Sequence, residues 1–374
     1  MSLKIAVMNE VTGAERRVAL TPDAIVRLEK KLPGVAVLVE QGAGMAAGFT
    51  DAAYEVAGAV VVKNFGKDKA DILLRVTQPG AKDKLPLADD GVLVCLTSGS
   101  DAWAGLGKIA GHVLALEKLP RTSRAQALDV LSSQANLGGY AAVLGAVSYL
   151  PRLMPMLMTS AGSSKPAQVL VLGVGVAGLQ AIATARRLGA QVKAFDVRPE
   201  VGEQILSLGA KPVVLADASV AVEGKGGYAG AMDAAGQEHL QNLLAPFVAE
   251  ADVVISTAQV PGKAAPVLIS AEVAAAMKPG SVIVDMAAGG FNKAHGIKGG
   301  NCPLSRVDEV VTVGQGVSLI GETNWTSSVA GDASRFWAQN MLNLLAIAVV
   351  DGKVSFEDEL VAAMHVVVGG KVVA

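Results

Sequence analysis

Short runs of Val, Ile and Leu alternate with helix-length segments along almost the whole chain. This alternation is typical of βαβ units, whose parallel strands are buried on both faces and are therefore apolar throughout. The runs form two series, separated by a Pro- and Ser-containing stretch at residues 151–166 that has the composition of a linker. The first series comprises residues 5–7, 35–39, 60–62, 72–76, 92–96 and 113–116, and the second comprises 169–172, 192–195, 213–215, 253–256, 282–284, 310–313 and 317–320.

The pattern predicts an α/β protein built from two units. The chain has 374 residues, which is enough for two domains that each bury a full core. A segment with helical apolar spacing follows the second series, and we expect it to return and pack on the first domain. The predicted domains are residues 1–132 plus 321–374, and residues 133–320, joined by a helix and linker near 133–167.

The apolar composition does not require a membrane span. Hydrophobic residues make up 51% of the chain and the mean hydropathy is +0.44. A span needs about 20 predominantly apolar residues, whereas the longest charge-free stretch, 130–151, contains Ser, Gln and Asn side chains. We therefore expect a soluble chain without a signal peptide.

Several other classes are disfavoured by charge and by reactive side chains. The net charge of −2 gives no electrostatic basis for binding nucleic acid. Two cysteines and four scattered histidines do not provide a disulfide framework or metal-ligand spacing. The few cysteines fit a reducing, cytoplasmic setting.

The second series opens with a dinucleotide-binding fingerprint. A strand at 169–172 leads into Gly173, Gly175 and Gly178, and a helix follows. The first glycine permits a tight turn, the second lets the backbone approach a pyrophosphate, and the third allows close packing of helix and strand. The free N–H groups of the helix would then face the phosphates. A Rossmann-like unit without a ligand is the alternative.

An acidic residue follows the next predicted strand. Asp196 lies 18 residues after Gly178, where a carboxylate accepts a hydrogen bond from a ribose 2′-hydroxyl and repels a 2′-phosphate. This spacing favours NAD(H) over NADP(H). Arg198 weakens the argument somewhat, because an arginine there can accept a 2′-phosphate.

Two further segments have open interpretations. Residues 223–232 are rich in glycine around Tyr228 and fit either a lid over a nucleotide or an ordinary surface loop. In the polar segment 120–134, Arg121, Gln126 and Asp129 could converge on a turn or short helix. Residue chemistry alone favours a solvated connection with a helix N-cap there.

Taken together, these motifs resemble those of the NAD(H)-binding α subunits (domain I) of proton-translocating NAD(P) transhydrogenase. The Arg-x-x-Arg-Ala-Gln-x-x-Asp-x-Leu-Ser-Ser run that begins at Arg121 is the most specific of them, whereas the glycine fingerprint is shared by many families. The resemblance covers nearly the whole chain and includes residues 15–22, 39–44, 121–136, 173–180, 196–198, 226–228, 261–263 and 299–304.

The resemblance implies a homodimer of two-domain subunits, with two Rossmann-like, doubly wound parallel sheets and NAD(H) in the cleft between the domains. It also implies hydride exchange with NADP(H) bound on a partner β subunit, coupled to proton translocation by membrane-spanning subunits. The chain would be active only with these partners and would lie at the cytoplasmic face of the inner membrane.

The resemblance also assigns roles to residues. Arg121, Gln126 and Asp129 would be the catalytic groups at the nicotinamide. Hydride transfer between nicotinamides moves no substrate proton, so such a site needs orientation and exclusion of water and does not need a general base. The cofactor-binding residues would be Ser132, Gly173, Gly175, Val176, Gly178, Asp196, Val197, Arg198, Gly227, Tyr228, Ala258 and Gln259.

Two other functions remain open. Alanine dehydrogenase is similar in the segment 17–22, but it needs a base, and its relatives carry Lys and His in the first domain. Here Arg75 stands in the corresponding region, and 92–98 contains no His. The other alternative is a non-enzymatic NAD-sensing module. Residues 97–100 and 325–328 depart from the transhydrogenase pattern.

Overall fold

The computed structural model describes residues 3–11, 15–80, 83–215, 234–259, 264–289 and 300–373. The chain divides into two compact units: Met1–Gln134 with Thr326–Ala374, and Ala135–Trp325.

The first segment of the chain alternates strands and helices. Its strands are β1 (Lys4–Val7), β2 (Ala36–Glu40), β3 (Val60–Val62), β4 (Ala70–Thr77), β5 (Leu87–Leu96) and β6 (His112–Ala115). Its helices are α1 (Pro22–Lys31), α2 (Asp51–Val56) and α3 (Ser100–Leu106), and 3₁₀ turns cover Met45–Ala47, Leu116–Lys118 and Ser123–Leu128.

The middle of the chain begins with the 20-residue helix α4 (Val130–Tyr149) and the hairpin β7 (Leu157–Thr159) and β8 (Gly162–Ser164). The elements that follow are β9 (Gln168–Leu172), α5 (Val176–Arg187), β10 (Gln191–Phe195), α6 (Gly202–Ser207), β11 (Lys211–Pro212), α7 (Ala234–Glu250), β12 (Val253–Ser256), α8 (Ala271–Ala275), β13 (Val282–Asp285), β14 (Val310–Val313) and β15 (Val317–Ile320).

The last segment returns to the first unit. It contains α9 (Ala330–Ala348), the short hairpin β16 (Val349–Val350) and β17 (Lys353–Val354), α10 (Glu359–Met364), β18 (His365–Val368) and β19 (Lys371–Val372). Helix α9 packs on α1, and its Trp337 and Met341 are fully buried in the same core as Leu28 of α1. The first core is therefore completed only by residues that follow the second unit in sequence.

Eight of the described strands form one sheet in the first unit, in the order β19-β18-β6-β5-β4-β1-β2-β3. Strands β1 to β6 are parallel, whereas β18 runs antiparallel to β6 and β19 antiparallel to β18. The strand order reverses between β1 and β4. Ligands of open α/β sheets bind beside the carboxyl ends of the strands at such a switch point.

The sheet of the second unit contains seven of the described strands, in the order β11-β10-β9-β12-β13-β15-β14. All neighbours are parallel except β14 and β15. Side chains of β9 alternate between two cores: Val169 and Val171 contact one, and Leu170 and Leu172 contact the other. This burial on both faces confirms the α/β prediction of two doubly wound, parallel-dominated sheets.

One strand prediction was wrong, and several strands were not predicted. Residues 213–215 are not a strand: β11 is Lys211–Pro212, and beyond it the N–H of Val213 still donates to the carbonyl of Ala194 at 2.8 Å. The short hairpins β7–β8 and β16–β17 and the strands β18 and β19 were missed. Gly369 and Gly370 join β18 and β19 with φ of 54° and 76°, the left-handed backbone of a tight hairpin turn.

No helix among the described residues is long and apolar enough to cross a bilayer.

Two histidines pair where β18 meets β6. His112 Nδ1 lies 3.0 Å from His365 Nε2, and the ring of Phe356 stacks on His365 at a centroid distance of 3.9 Å. Only one proton can lie between the two nitrogens. Burial, together with the neighbouring His112, lowers the pKa of His365 from 6.5 to about 4.

This pair predicts loss of stability in acid. The folded pKa lies below the unfolded one, so the unfolded chain binds more protons between pH 6.5 and 4, and stability falls as pH falls through that window. Solvent screening of a half-buried pair limits the loss to about 1 kcal/mol. We expect urea unfolding at pH 7.5 and 4.5 to differ less in His365→Gln than in the unmodified chain.

A matched control is His239→Gln, since His239 is an exposed histidine on α7. It should keep the pH dependence of the unmodified chain. Equal pH dependence in His365→Gln and the unmodified chain would contradict the prediction.

Candidate functional site

A cavity of about 330 Å³ lies in the first unit, within the polar segment that follows β6. All of the described residues that line it lie between Leu116 and Ser132. Four side chains singled out in the sequence line it together: Arg121, Gln126, Asp129 and Ser132. The structure therefore brings the specific polar motif of the sequence to one concave surface.

The local fold explains which side chains face the cavity. After β6 the chain makes a 3₁₀ turn at Ser123–Leu128, and Ala125 and Leu128 anchor this turn in the core. Arg121 and Gln126 are left exposed on the other side. A turn with two buried apolar residues can thus present polar groups without burying them.

Asp129 has two roles at the start of α4. Its carboxylate accepts hydrogen bonds from the N–H of Ser132 at 3.0 Å and from the Ser132 hydroxyl at 2.6 Å. This is an N-cap bond to the third helical residue. The solvated helix cap and the convergent polar site, which the sequence presented as alternatives, are both present at this residue.

Two asparagines of α9 form hydrogen bonds to the 3₁₀ turn. The side-chain amides of Asn340 and Asn343 both donate to the carbonyl of Ala127 at 2.9 Å. The Ser133 hydroxyl in turn donates to Asn340 Oδ1 at 2.8 Å. Neither asparagine was predicted to belong to the site, although the amide side chains of α9 in the mostly apolar stretch 336–348 were a visible signal.

Arg124 belongs to the same sequence motif but does not line the cavity. Its guanidinium forms ion pairs with Asp358 and Glu359 at the start of α10. The pair with Asp358 lowers the pKa of that carboxyl, chiefly through the hydrogen bond from Arg124. The arginine thus links the 3₁₀ turn at Ser123–Leu128 to the start of α10.

The glycine turn of the second unit has the expected backbone geometry. Gly173 has φ of 88°, which favours glycine. A Cβ on Gly178 would lie 2.0 Å from the carbonyl oxygen of Gly173, so helix α5 and strand β9 can approach only with glycine there. A Cβ on Gly175 would meet no atom of the described residues within 4 Å, so among them the backbone borders open space where a pyrophosphate could approach. Val176 begins α5 and is 40% exposed.

Asp196 lies at the end of β10 and is held by its neighbours. Its carboxylate accepts from the N–H of Val174 at 2.7 Å and forms a two-pronged ion pair with Arg198, at 2.8 and 2.9 Å. Burial raises the pKa of Asp196, but the hydrogen bonds from Arg198 and Val174 outweigh it, and the pKa is lowered. Arg198 is therefore the partner of the predicted ribose acceptor.

Three more predicted residues lie near this edge of the sheet, and two fall outside the described chain. Ala258 follows β12, and its N–H and carbonyl both bond to the side chain of the buried Asn301, at 3.1 and 2.8 Å. Gln259 donates to the carbonyl of Met286 at 3.0 Å. Val197 packs against one core of the sheet. The predictions for Gly227 and Tyr228 lie outside the described residues.

Asn301 belongs to the segment 299–304, which the family resemblance included without giving it a role. Besides Ala258, its amide also donates to the carbonyl of Pro266 at 2.8 Å. The next residue is fixed by Asp285, whose carboxylate accepts from the N–H of Cys302 at 3.0 Å. This motif thus supports the loop after β12.

At the switch point of the first sheet, a buried carboxylate binds the end of the neighbouring strand β4. Glu10 follows β1, and its carboxylate accepts hydrogen bonds from the N–H of Val76 at 2.8 Å and from the N–H and hydroxyl of Thr77 at 2.9 and 2.8 Å. Burial, the largest influence, raises the pKa of Glu10, and Arg75 at 3.5 Å opposes it. The bonds of this carboxylate go to the backbone and side chain of β4.

The side chain of Arg17 also forms its hydrogen bonds within the first unit. Its guanidinium bonds to both oxygens of Glu15 at 2.8 and 2.7 Å and to the amide oxygen of Gln134 at 2.9 Å. Both Arg17 and Glu15 are buried. This arginine therefore holds the start of the chain to the helix α4.

Comparison with known proteins gives a consistent result. Residues 6–138 match the family description "Alanine dehydrogenase/PNT, N-terminal domain", and residues 142–374 match "Alanine dehydrogenase/PNT, C-terminal domain". An NAD(P) transhydrogenase alpha subunit chain of Rhodospirillum rubrum is 42% identical over 99% of this chain and 98% of its own length.

Solved structures agree. A transhydrogenase from Sinorhizobium meliloti superposes with a TM-score of 0.87 at 38% identity, covering 99% of this chain and 100% of that one. An L-alanine dehydrogenase shares the fold, with a TM-score of 0.78 at 23% identity over 99% of this chain and 97% of that one. The chain therefore belongs to the alanine dehydrogenase/PNT family, and within it to the relatives of the NAD(P) transhydrogenase alpha subunit.

Proposed function

We propose that the chain binds NAD(H) and exchanges hydride with NADP(H) bound on a partner subunit. The observation that carries the proposal is the cavity in which Arg121, Gln126, Asp129 and Ser132 meet. Its polar groups suit a nicotinamide carboxamide, because the Gln126 amide both donates and accepts and the Asp129 carboxylate accepts. Arg121 supplies a cation for a phosphate or ribose oxygen.

The second unit supplies the dinucleotide turn. The open space at Gly175 and the N-terminus of the 12-residue helix α5 suit a pyrophosphate. Asp196 and Arg198 lie on the adenosine side, with Val176, Val197, Ala258 and Gln259 beside them as further contacts. The nucleotide brings the hydride, and the chain orients it and keeps water away.

The alternative of an amino-acid dehydrogenase is less well supported. Such an enzyme must move a proton, and the carboxylate at the first switch point, Glu10, already accepts three hydrogen bonds from β4. Arg17, in the segment that resembles alanine dehydrogenase, is bound by Glu15 and Gln134. Neither group offers an open place for a substrate carboxylate.

Partners complete the proposed function. The NADP(H) would be bound by the domain of a β subunit, and membrane-spanning subunits would couple hydride exchange to proton translocation. In this arrangement the chain lies at the cytoplasmic face of the inner membrane as a peripheral component.

The first test is reconstitution. The purified chain is mixed with the NADP(H)-binding domain of a transhydrogenase β subunit, and transfer from NADPH to the acetylpyridine analogue of NAD⁺ is followed by absorbance. We expect transfer only when both components are present. Gln126→Ala should slow it roughly tenfold to a hundredfold, because orientation of the ring contributes on that scale.

Arg124→Ala is the matched control, since Arg124 lies in the same segment but pairs with α10. It should retain near-normal transfer. Tight NADH binding without any transfer, next to an active partner domain, would favour a non-enzymatic NAD sensor. Alanine-dependent reduction of NAD⁺ by the chain alone would favour the dehydrogenase.

A second test concerns the ribose contact. Asp196→Ala should weaken the binding of NADH and reduce the preference of the chain for NADH over NADPH. The substitution removes a hydrogen-bond acceptor for the ribose and releases Arg198 to bind a 2′-phosphate. Isothermal titration with both nucleotides measures this. In the double variant Asp196→Ala/Arg198→Ala the gain for NADPH should disappear. Unchanged affinity for both nucleotides in Asp196→Ala would exclude the assignment.

A third test concerns the proposed homodimer. Around the hairpin β7–β8, large apolar side chains are exposed: Met156 at 63%, Leu157 at 48% and Met158 at 74%. Such a group of apolar side chains is typical of an association surface. We expect sedimentation equilibrium to give a dimer that Met158→Lys shifts towards monomer, whereas Val56→Lys, at a residue 90% exposed on α2, should not. A monomeric unmodified chain at tens of micromolar would contradict the proposal.

A further inference from the structure

One charged residue of the cavity has no assigned role. Glu117 lies on its wall, just after β6. Of the described residues that line the cavity, Glu117 and Asp129 are acidic and Arg121 is basic. The lining therefore carries one net negative charge.

The carboxylate of Glu117 is held in place by hydrogen bonds from Thr97. It accepts a hydrogen bond from the N–H of Thr97 at 3.0 Å and another from the Thr97 hydroxyl. That hydroxyl in turn accepts from the indole N–H of the buried Trp103 at 2.9 Å. Lys118 lies over the face of the same indole, 5.7 Å from its centroid, and does not line the cavity.

Thr97 belongs to the segment 97–100 that departs from the transhydrogenase pattern, and here it anchors Glu117. An anchored carboxylate keeps its position as the charge of a bound molecule changes. A group that need not reorganise stabilises a developing charge better than a mobile one.

The two acidic residues differ in what they can do. Asp129 accepts from the N–H and hydroxyl of Ser132 at the start of the 20-residue helix α4, and the positive end of that helix dipole offsets its charge. Glu117 lies at no such helix end, and its hydrogen bonds come from the neutral Thr97. Glu117 therefore contributes a negative charge to the lining that no helix dipole of this kind offsets.

We propose that Glu117 sets the relative affinity of this site for oxidised and reduced nicotinamide. The inference rests on the proposed binding of NAD(H) in this cavity. Loss of a hydride, one proton with two electrons, leaves the ring of the donor with a positive charge, and that hydride ends on the NADP⁺ of the partner. A fixed carboxylate favours the charged, oxidised ring over the neutral, reduced one.

The proposal differs measurably from a structural role. If Glu117 served only to hold Thr97, its replacement would change the affinities for NAD⁺ and NADH by the same factor. A charge effect acts on the oxidised form alone, so it changes their ratio.

The test measures the dissociation constants of NAD⁺ and NADH by titration calorimetry, with purified chain and no partner subunit. Glu117→Gln keeps the shape and removes the charge. We expect the ratio of the NAD⁺ to the NADH dissociation constant to rise threefold to tenfold, and a tenfold change equals about 30 mV for a two-electron couple.

Two further variants keep the test decisive even if Glu117→Gln does not fold. Thr122→Asp adds a carboxylate to an exposed position of the cavity lining and should lower the ratio. Asp101→Asn removes an exposed carboxylate of α3 outside the cavity and should leave it unchanged.

The outcomes are separable. A ratio within twofold of the unmodified chain in either Glu117→Gln or Thr122→Asp, with both nucleotides bound, would overturn the role of Glu117 and leave the proposed function standing. If the unmodified chain bound neither nucleotide, the proposed function itself would fail, and the role of Glu117 with it.

Discussion

Both sheets are buried on both faces, and this constraint governs where chemistry can occur in the chain. A central strand such as β9 sends Val171 into one core and Leu172 into the other, so polar groups cannot lie along its length. The polar groups of the candidate site lie instead at the carboxyl ends of strands, where loops begin. Asp196 lies just after β10, Thr97 just after β5 and Glu117 just after β6. The candidate site is thus a consequence of how the strands are packed.

The same constraint made much of the fold predictable. A strand that is buried on both faces reads as a continuous apolar run, and twelve of the thirteen predicted runs overlap strands that the structure places in the two large sheets. Strands whose pairing depends on distant partners could not be predicted from the sequence. Strand β18 joins the sheet through β6, some 250 residues earlier in the chain, and no local periodicity reports such a pairing.

For the candidate site, the sequence identified residues but not their partners. Arg121, Gln126, Asp129 and Ser132 were selected together, and they line one cavity. The sequence could not show that Ser132 bonds to Asp129 or that Arg198 binds Asp196, because those bonds depend on side-chain rotamers and on where each helix begins. Glu117 was missed for the same reason, since only the position of Thr97 gives it a fixed orientation.

The buried charged groups of the first unit are held by neighbours within the fold. The Glu10 carboxylate accepts hydrogen bonds from β4, and the Arg17 guanidinium bonds to both oxygens of Glu15. These bonds stabilise the charged forms, but at Glu10 burial outweighs them and raises the pKa of its carboxyl. Arg121 and Gln126, which line the cavity, are exposed and can orient a bound ring. The proposed hydride exchange between two nicotinamides needs only such orientation and exclusion of water, so the proposal depends on the polar motif and not on the buried carboxylates.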